Sequence, residues 1–170
     1  MNKLSEQYPI DRKDIFDTQY VFVDGISRSG KNGITPLVSS LEKVEHYLQN
    51  FNMDRTLSLL EAGHLTIEGF KYFLDLDLIV DSWFRLIGRN QNMNKNDVSS
   101  VSNSKSPEKY LSRLETSDTQ ESFVSVKNTI EREKLIFAYA TEDLITLASE
   151  HPDVFEKIKF IIVLRHPVET

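Results

Sequence analysis

The chain has 170 residues, no cysteine, and 20 basic against 26 acidic residues, a net charge of −6. That length suits one domain with a real core, and the missing cysteine excludes disulfides, thiolate metal sites and a cysteine nucleophile. A pI near 5.3 argues against a nucleic-acid partner, which would meet a basic face. No apolar run reaches the roughly 18 residues of a membrane span, and the N-terminus lacks the apolar stretch of a signal peptide, so the expected location is cytoplasmic.

Residues 1–18 are polar and read as a lead-in to a domain over residues 19–170. Tyr20-Val21-Phe22-Val23 is a compact apolar run without alternation, which suits a strand covered on both faces. Asp24 and a loop of small residues follow, and they feed a helix predicted to start near Thr35-Pro36, with Thr35 as cap and Pro36 in the first turn. Residues 44–48 suit a second strand. Residues 54–60 have a helical pattern that Gly63 would stop. Over residues 66–87 the apolar spacing predicts a helix, although LDLDLIV also alternates like a strand.

The Asn- and Ser-rich residues 88–106 read as a polar loop or lid rather than a packed element. Residues 107–115 and 121–134 read as helices, and residues 135–140 as the third strand. Thr141-Glu142-Asp143 suits a helix start, with Thr141 as cap and acids in the first turn, and that helix should end before Pro152. Residues 160–164 read as a buried strand closed by Arg165-His166-Pro167. Alternating strands and helices imply βαβ units and a central, mostly parallel sheet in a three-layer α/β domain. The last strand has no following helix to cover it, so the chain reads as an N-terminal fragment, or a short version, of a longer protein.

Two constellations carry chemistry. In the first, Gly25, Ser27, Arg28, Ser29, Gly30 and Lys31 lie between a strand and a helix N-terminus. Free backbone N–H groups and the helix dipole make such a turn an anion cradle, and the glycines let the backbone approach an oxyanion. The spacing is G-x-x-x-x-G-K, as in the P-loop of NTPases, but Asn32 stands where a Mg²⁺-binding hydroxyl is usual. In the second, the last strand delivers Arg165 to the carboxyl edge of the sheet, where open α/β sheets bind ligands.

Together these resemble the sulfotransferases that use 3′-phosphoadenosine 5′-phosphosulfate (PAPS). Their first βα loop often reads S-R-S-G-T, against Ser27-Arg28-Ser29-Gly30-Lys31 here, and a later strand ends in R-x-P, against Arg165-His166-Pro167. The resemblance implies a P-loop-type fold in which Arg28, Ser29, Gly30, Lys31 and Asn32 contact the 5′ side of PAPS, or of the product PAP, and Arg165 the 3′-phosphate. Lys31 and Asn32 replace the usual Thr-Thr or Thr-Ser. The resemblance also implies an acceptor base near Glu45-His46-Tyr47, at the end of the expected second strand. Sulfuryl transfer needs a base at the acceptor oxygen and cations on the transferring group. Glu45 or His46 is the expected base, with Arg28 and Lys31 as the cations. Asp24, Glu142 and Asp143 are further base candidates. The donor needs no metal, and the implied acceptor is a carbohydrate or another small hydroxyl compound.

Other residues have structural readings. His64 suits a helix C-terminus, His151 lies in a loop, and no two histidines have metal spacing. Trp83 reads as core. Asp75, Asp77 and Asp81 read as a solvated edge; on a strand, Asp75 and Asp77 would share a face and favour an NTPase. Gly88-Arg89-Asn90 begins a polar loop that suits a sugar acceptor. The second reading is a nucleotide kinase or NTPase, dependent on Mg²⁺ and an acid such as Asp77 or Asp81. The third is a non-catalytic nucleotide-binding or interaction domain.

Overall fold

The structure, a computed structural model, describes residues 16–115 and 123–165. Most of the expected lead-in, as well as His166 and Pro167, lies outside them. Strands β1 (Gln19–Asp24), β2 (Val44–Gln49), β3 (Ile136–Ala140) and β4 (Ile158–Ile162) alternate with helices α1 (Lys31–Ser39), α2 (Phe51–Glu61), α3 (Ile67–Leu86), α4 (Pro107–Glu115), α5 (Phe123–Glu133) and α6 (Leu144–Glu150). The strands form one four-stranded sheet in the order β2-β3-β1-β4, with every pair parallel. The α/β expectation therefore holds, with helices on both faces. No helix among the described residues is long and apolar enough to cross a membrane.

The central strands are apolar on both sides because both sides are covered. Phe22, Val23, Phe137, Ala138 and Tyr139 are fully buried. Tyr20, Phe22, Phe137 and Tyr139 pack against Met53, Leu57, Phe70, Leu74, Leu78, Ile130 and Leu144 from four helices. Each such side chain contributes about 1.5–3 kcal/mol. On the opposite face Val23, Ala138 and Ala140 meet Val38 of α1 and Tyr47.

Several elements differ from expectation for local physical reasons. Helix α1 begins at Lys31, ahead of Thr35-Pro36, because Gly30 turns the chain into it with a left-handed φ of +102° and no side-chain cap. Thr35 is instead buried inside α1, its hydroxyl donating back to the Lys31 carbonyl at 2.8 Å. Asn50 caps α2, accepting from Asn52 N at 3.0 Å, and Gly63, at φ +73°, stops it. LDLDLIV is helical, since a helix brings Leu74 and Leu78 onto one core-facing stripe.

Residues 88–106 are more ordered than their composition suggests. Asn94, Asn96 and Ser99 donate backbone N–H groups to the side chains of Asn92, Asn94 and Asp97, a series of Asx turns. Ser99, Ser100 and Val101 are buried. Thr141 does not cap α6, because its hydroxyl donates to Asp24 instead. Strand β4 begins earlier than expected and is not buried. It lies at the sheet edge, with Ile161 and Ile162 exposed at 38% and 48%.

Strand order decides where a ligand fits. β1 leads through α1 to β2 on one side, and β3 leads through α6 to β4 on the other. α1 and α6 pack on opposite faces of the sheet. The carboxyl ends of β1 and β3 therefore lie side by side at the point where strand order reverses, the position at which open α/β sheets bind ligands.

Candidate functional site

The loop after β1 sits at that switch point. Gly25 is pressed against the chain leaving β4: a Cβ there would lie 2.5 Å from the Val163 carbonyl oxygen. The loop turns through Ser29 N–H to Ile26 O at 3.2 Å. Arg28 (φ +63°) and Gly30 (φ +102°) are both left-handed. This path leaves the N–H groups of Ser27, Arg28, Gly30, Lys31 and Asn32 without an acceptor among the described residues. They cluster at the N-terminus of α1, where the helix dipole adds positive potential. Ser27, Arg28 and Asn32 are exposed, whereas Ser29 and Lys31 are buried. The Ser29 hydroxyl has no partner among the described residues.

Lys31 folds back over the loop. Its Nζ donates to the Gly25 carbonyl and lies 3.3 Å from Glu142 Oε1, just past β3. Asp24 ties the two strand ends together: its Oδ2 accepts from Thr141 Oγ1 at 2.7 Å and from Leu144 N at 3.1 Å. Its Oδ1 is buried without a partner among the described residues. The Glu142 N–H donates to Asp54 Oδ1 at 3.2 Å. Burial raises the Asp54 carboxyl above its ordinary range, and the charges of Glu142 and Asp24 add to this, against an opposing effect from Lys31. Of these acids, Glu142 pairs with Lys31, and Asp54 feels the lysine's charge.

Arg165 lies on the same edge. Val163 N–H donates to Asp24 O at 2.8 Å, and the chain continues from there to Arg165, whose side chain is exposed. The two constellations thus flank one end of the sheet.

Glu45 and His46 are elsewhere. Glu45 is the second residue of β2, not its end, and is fully buried. Its carboxylate accepts from Lys109 Nζ at 2.6 Å and from Arg113 Nη1 and Nη2 at 2.8 and 3.0 Å. Burial alone would raise its pKa, but Arg113 and Lys109 outweigh that and bring it to about 2. A carboxylate so held is a poor proton acceptor. The buried His46 ring lies 3.1 Å from Ser99 O, and burial lowers its pKa. Both residues join β2 to α4 and the polar loop. α4 carries no ligand-like signal, so the ion pairs of Lys109 and Arg113 with Glu45 are not visible in the sequence.

Asp77 and Asp81 lie on helix α3 rather than at a strand end, and Asn50 Nδ2 donates to both, at 2.6 and 2.8 Å. Asn90 also donates to Asp81, at 2.9 Å, so the start of the polar loop is tied to this acidic pair. Burial pushes Asp81 up to about 6, with Asp77 adding to the shift against Arg85 and Asn90. The acid paired with Lys31 is instead Glu142. Asp143 sits in the left-handed turn before α6 (φ +58°) and is exposed. A groove of about 430 Å³ between α2 and α3, lined by Phe70, Phe73 and Leu74 among others, includes no residue of the loop.

No protein-family model, curated protein or solved structure matches this chain.

Proposed function

We propose that this chain binds a phosphorylated nucleotide through residues 25–32 and acts in the manner of a PAPS-dependent sulfotransferase, moving a sulfuryl group to a hydroxyl acceptor such as a carbohydrate. The observation that carries the reading is the set of unpaired loop N–H groups at the start of α1, with Lys31 folded across the loop. In this reading Lys31, Arg28 and the loop amides neutralise the 5′-phosphosulfate, and Arg165 binds the 3′-phosphate from the adjacent strand end. Glu45 drops out as the acceptor base, because it is fully buried and Arg113 and Lys109 lower its proton affinity too far.

The second reading, a nucleotide kinase or NTPase, has one observation in its favour. A carboxylate just past β3, Glu142, lies beside the lysine of a G-x-x-x-x-G-K loop. Calorimetric binding of adenosine 3′,5′-bisphosphate and of ADP, each with and without Mg²⁺, separates the two. Tighter, metal-independent binding of the bisphosphate is the expected result. Arg165→Ala should then weaken the bisphosphate and spare ADP, while Lys31→Ala should weaken both. A Mg²⁺-dependent preference for ADP moves the assignment to the kinase class, and no effect of Lys31→Ala removes the anion cradle altogether.

A further inference from the structure

We propose that Glu142 is an internal competitor for the lysine of the anion cradle: its carboxylate and an incoming anion bind Lys31 in mutual exclusion. This rests on the reading of residues 25–32 as an anion site and adds a control to it.

An ammonium has three donors. One of those on Lys31 is committed to the Gly25 carbonyl inside the loop. Another faces Glu142 Oε1 at 3.3 Å. The two partners differ in freedom. Lys31 is 7% exposed, so the loop fixes where its charge can act. The Glu142 side chain is 47% exposed and can turn out into water. Its backbone stays anchored through the hydrogen bond to Asp54 Oδ1. The surroundings add urgency to that movement. Asp54 holds the Glu142 backbone beside Lys31 and itself interacts with the lysine's charge, so an anion that reached the loop amides with Glu142 still in place would meet two carboxylates. Like charges at such range repel appreciably even at a protein surface. Anion binding therefore carries the cost of breaking the Lys31–Glu142 pair, and removing the carboxylate should remove that cost.

The probe is inorganic pyrophosphate, titrated calorimetrically into the full chain with a chelator present so that no divalent cation intervenes. Wild type is compared with Glu142→Gln, which keeps the shape and loses the charge, and with Glu150→Gln, the same charge change at the far end of α6. A half-exposed pair sets the scale, and Glu142→Gln should bind roughly two- to fivefold tighter than wild type. Glu150→Gln should match wild type. Equal or weaker binding by Glu142→Gln overturns the proposal, and so does equal tightening by Glu150→Gln, since the gain would then reflect net charge alone. If neither wild type nor Glu142→Gln binds pyrophosphate, the anion-cradle reading fails with it. If wild type binds and Lys31→Ala does not, the cradle stands and the comparison of variants decides the competition alone.

Discussion

Lys31 and Glu45 are both buried charges, and their partners give them opposite uses. Lys31 is paired with one carbonyl and one half-exposed carboxylate that can leave. Both oxygens of Glu45 are bound to cations, and one of these, Arg113, is itself only 15% exposed. The first arrangement can exchange partners, and the second holds β2 to α4. The pH dependence of stability should show this. Folding lowers the pKa of Glu45 from 4.5 to about 2, so the unfolded chain binds the extra proton between those values. The pair's contribution is complete above the unfolded pKa and is lost as pH falls through the folded one. That shift corresponds to about 3 kcal/mol. In urea unfolding, the stability gap between wild type and Glu45→Gln should narrow by about that amount from pH 5 to pH 2. A gap constant over that range would mean that Arg113 and Lys109 do not hold the carboxylate ionised. The loop residues around Lys31 were legible because their spacing is local. Glu142 was not legible as the partner of Lys31, since 111 residues separate them and only the pairing of β1 with β3 brings them together.

Among the elements, the junction of β1, β3 and α6 depends on one side chain. Asp24 accepts from Thr141 and from the first residue of α6, so a carboxylate on one strand caps the helix that follows another. α6 has no side-chain cap of its own. Asp24→Ala removes both bonds from a fully buried site and should lower stability by about 2–4 kcal/mol, while Thr141→Val, which removes one, should cost about 1–2 kcal/mol. The midpoints of denaturant unfolding give both values, and equal effects would show that the bond to the α6 N–H contributes nothing. The same junction explains which elements the sequence displayed. β1 and β3 were readable as apolar runs, and α2 and α3 from their spacing. The start of α1 was not, because a glycine backbone turn replaces the usual capping side chain. Nor was the start of α6, because its cap comes from a residue 120 positions earlier. Residues 160–164 have the composition of a buried strand, and nothing in five residues tells an edge from a centre.

For the whole molecule, sheet order predicts how protection from solvent is distributed. β1 is flanked by β3 and β4, so its amides alternate between two partners, whereas among the described residues β4 is paired on one side only. Tyr20 donates to Lys157 O at 3.1 Å, and Val163 donates to Asp24 O at 2.8 Å. In a parallel ladder alternate residues face the same neighbour, so with this register the N–H groups of Ile161 and Val163 face β1. Those of Phe160 and Ile162 turn to the open edge. Opening free energies within one fold range from near zero at such edges to the full stability at the core. Native-state hydrogen exchange should find the slowest amides in β1 and β3. Along β4 protection should alternate, with Ile161 and Val163 at least about a hundredfold slower than Phe160 and Ile162. Uniform fast exchange along β4 would show that the strand detaches from β1 as a unit, carrying Val163 away from Gly25 and Arg165 away from the loop. Uniform slow exchange would show that the outer edge is itself paired, by a second copy or by residues outside those described. Alternation alone leaves β4 both attached and open, the state in which Val163 stays packed against Gly25 of the anion loop.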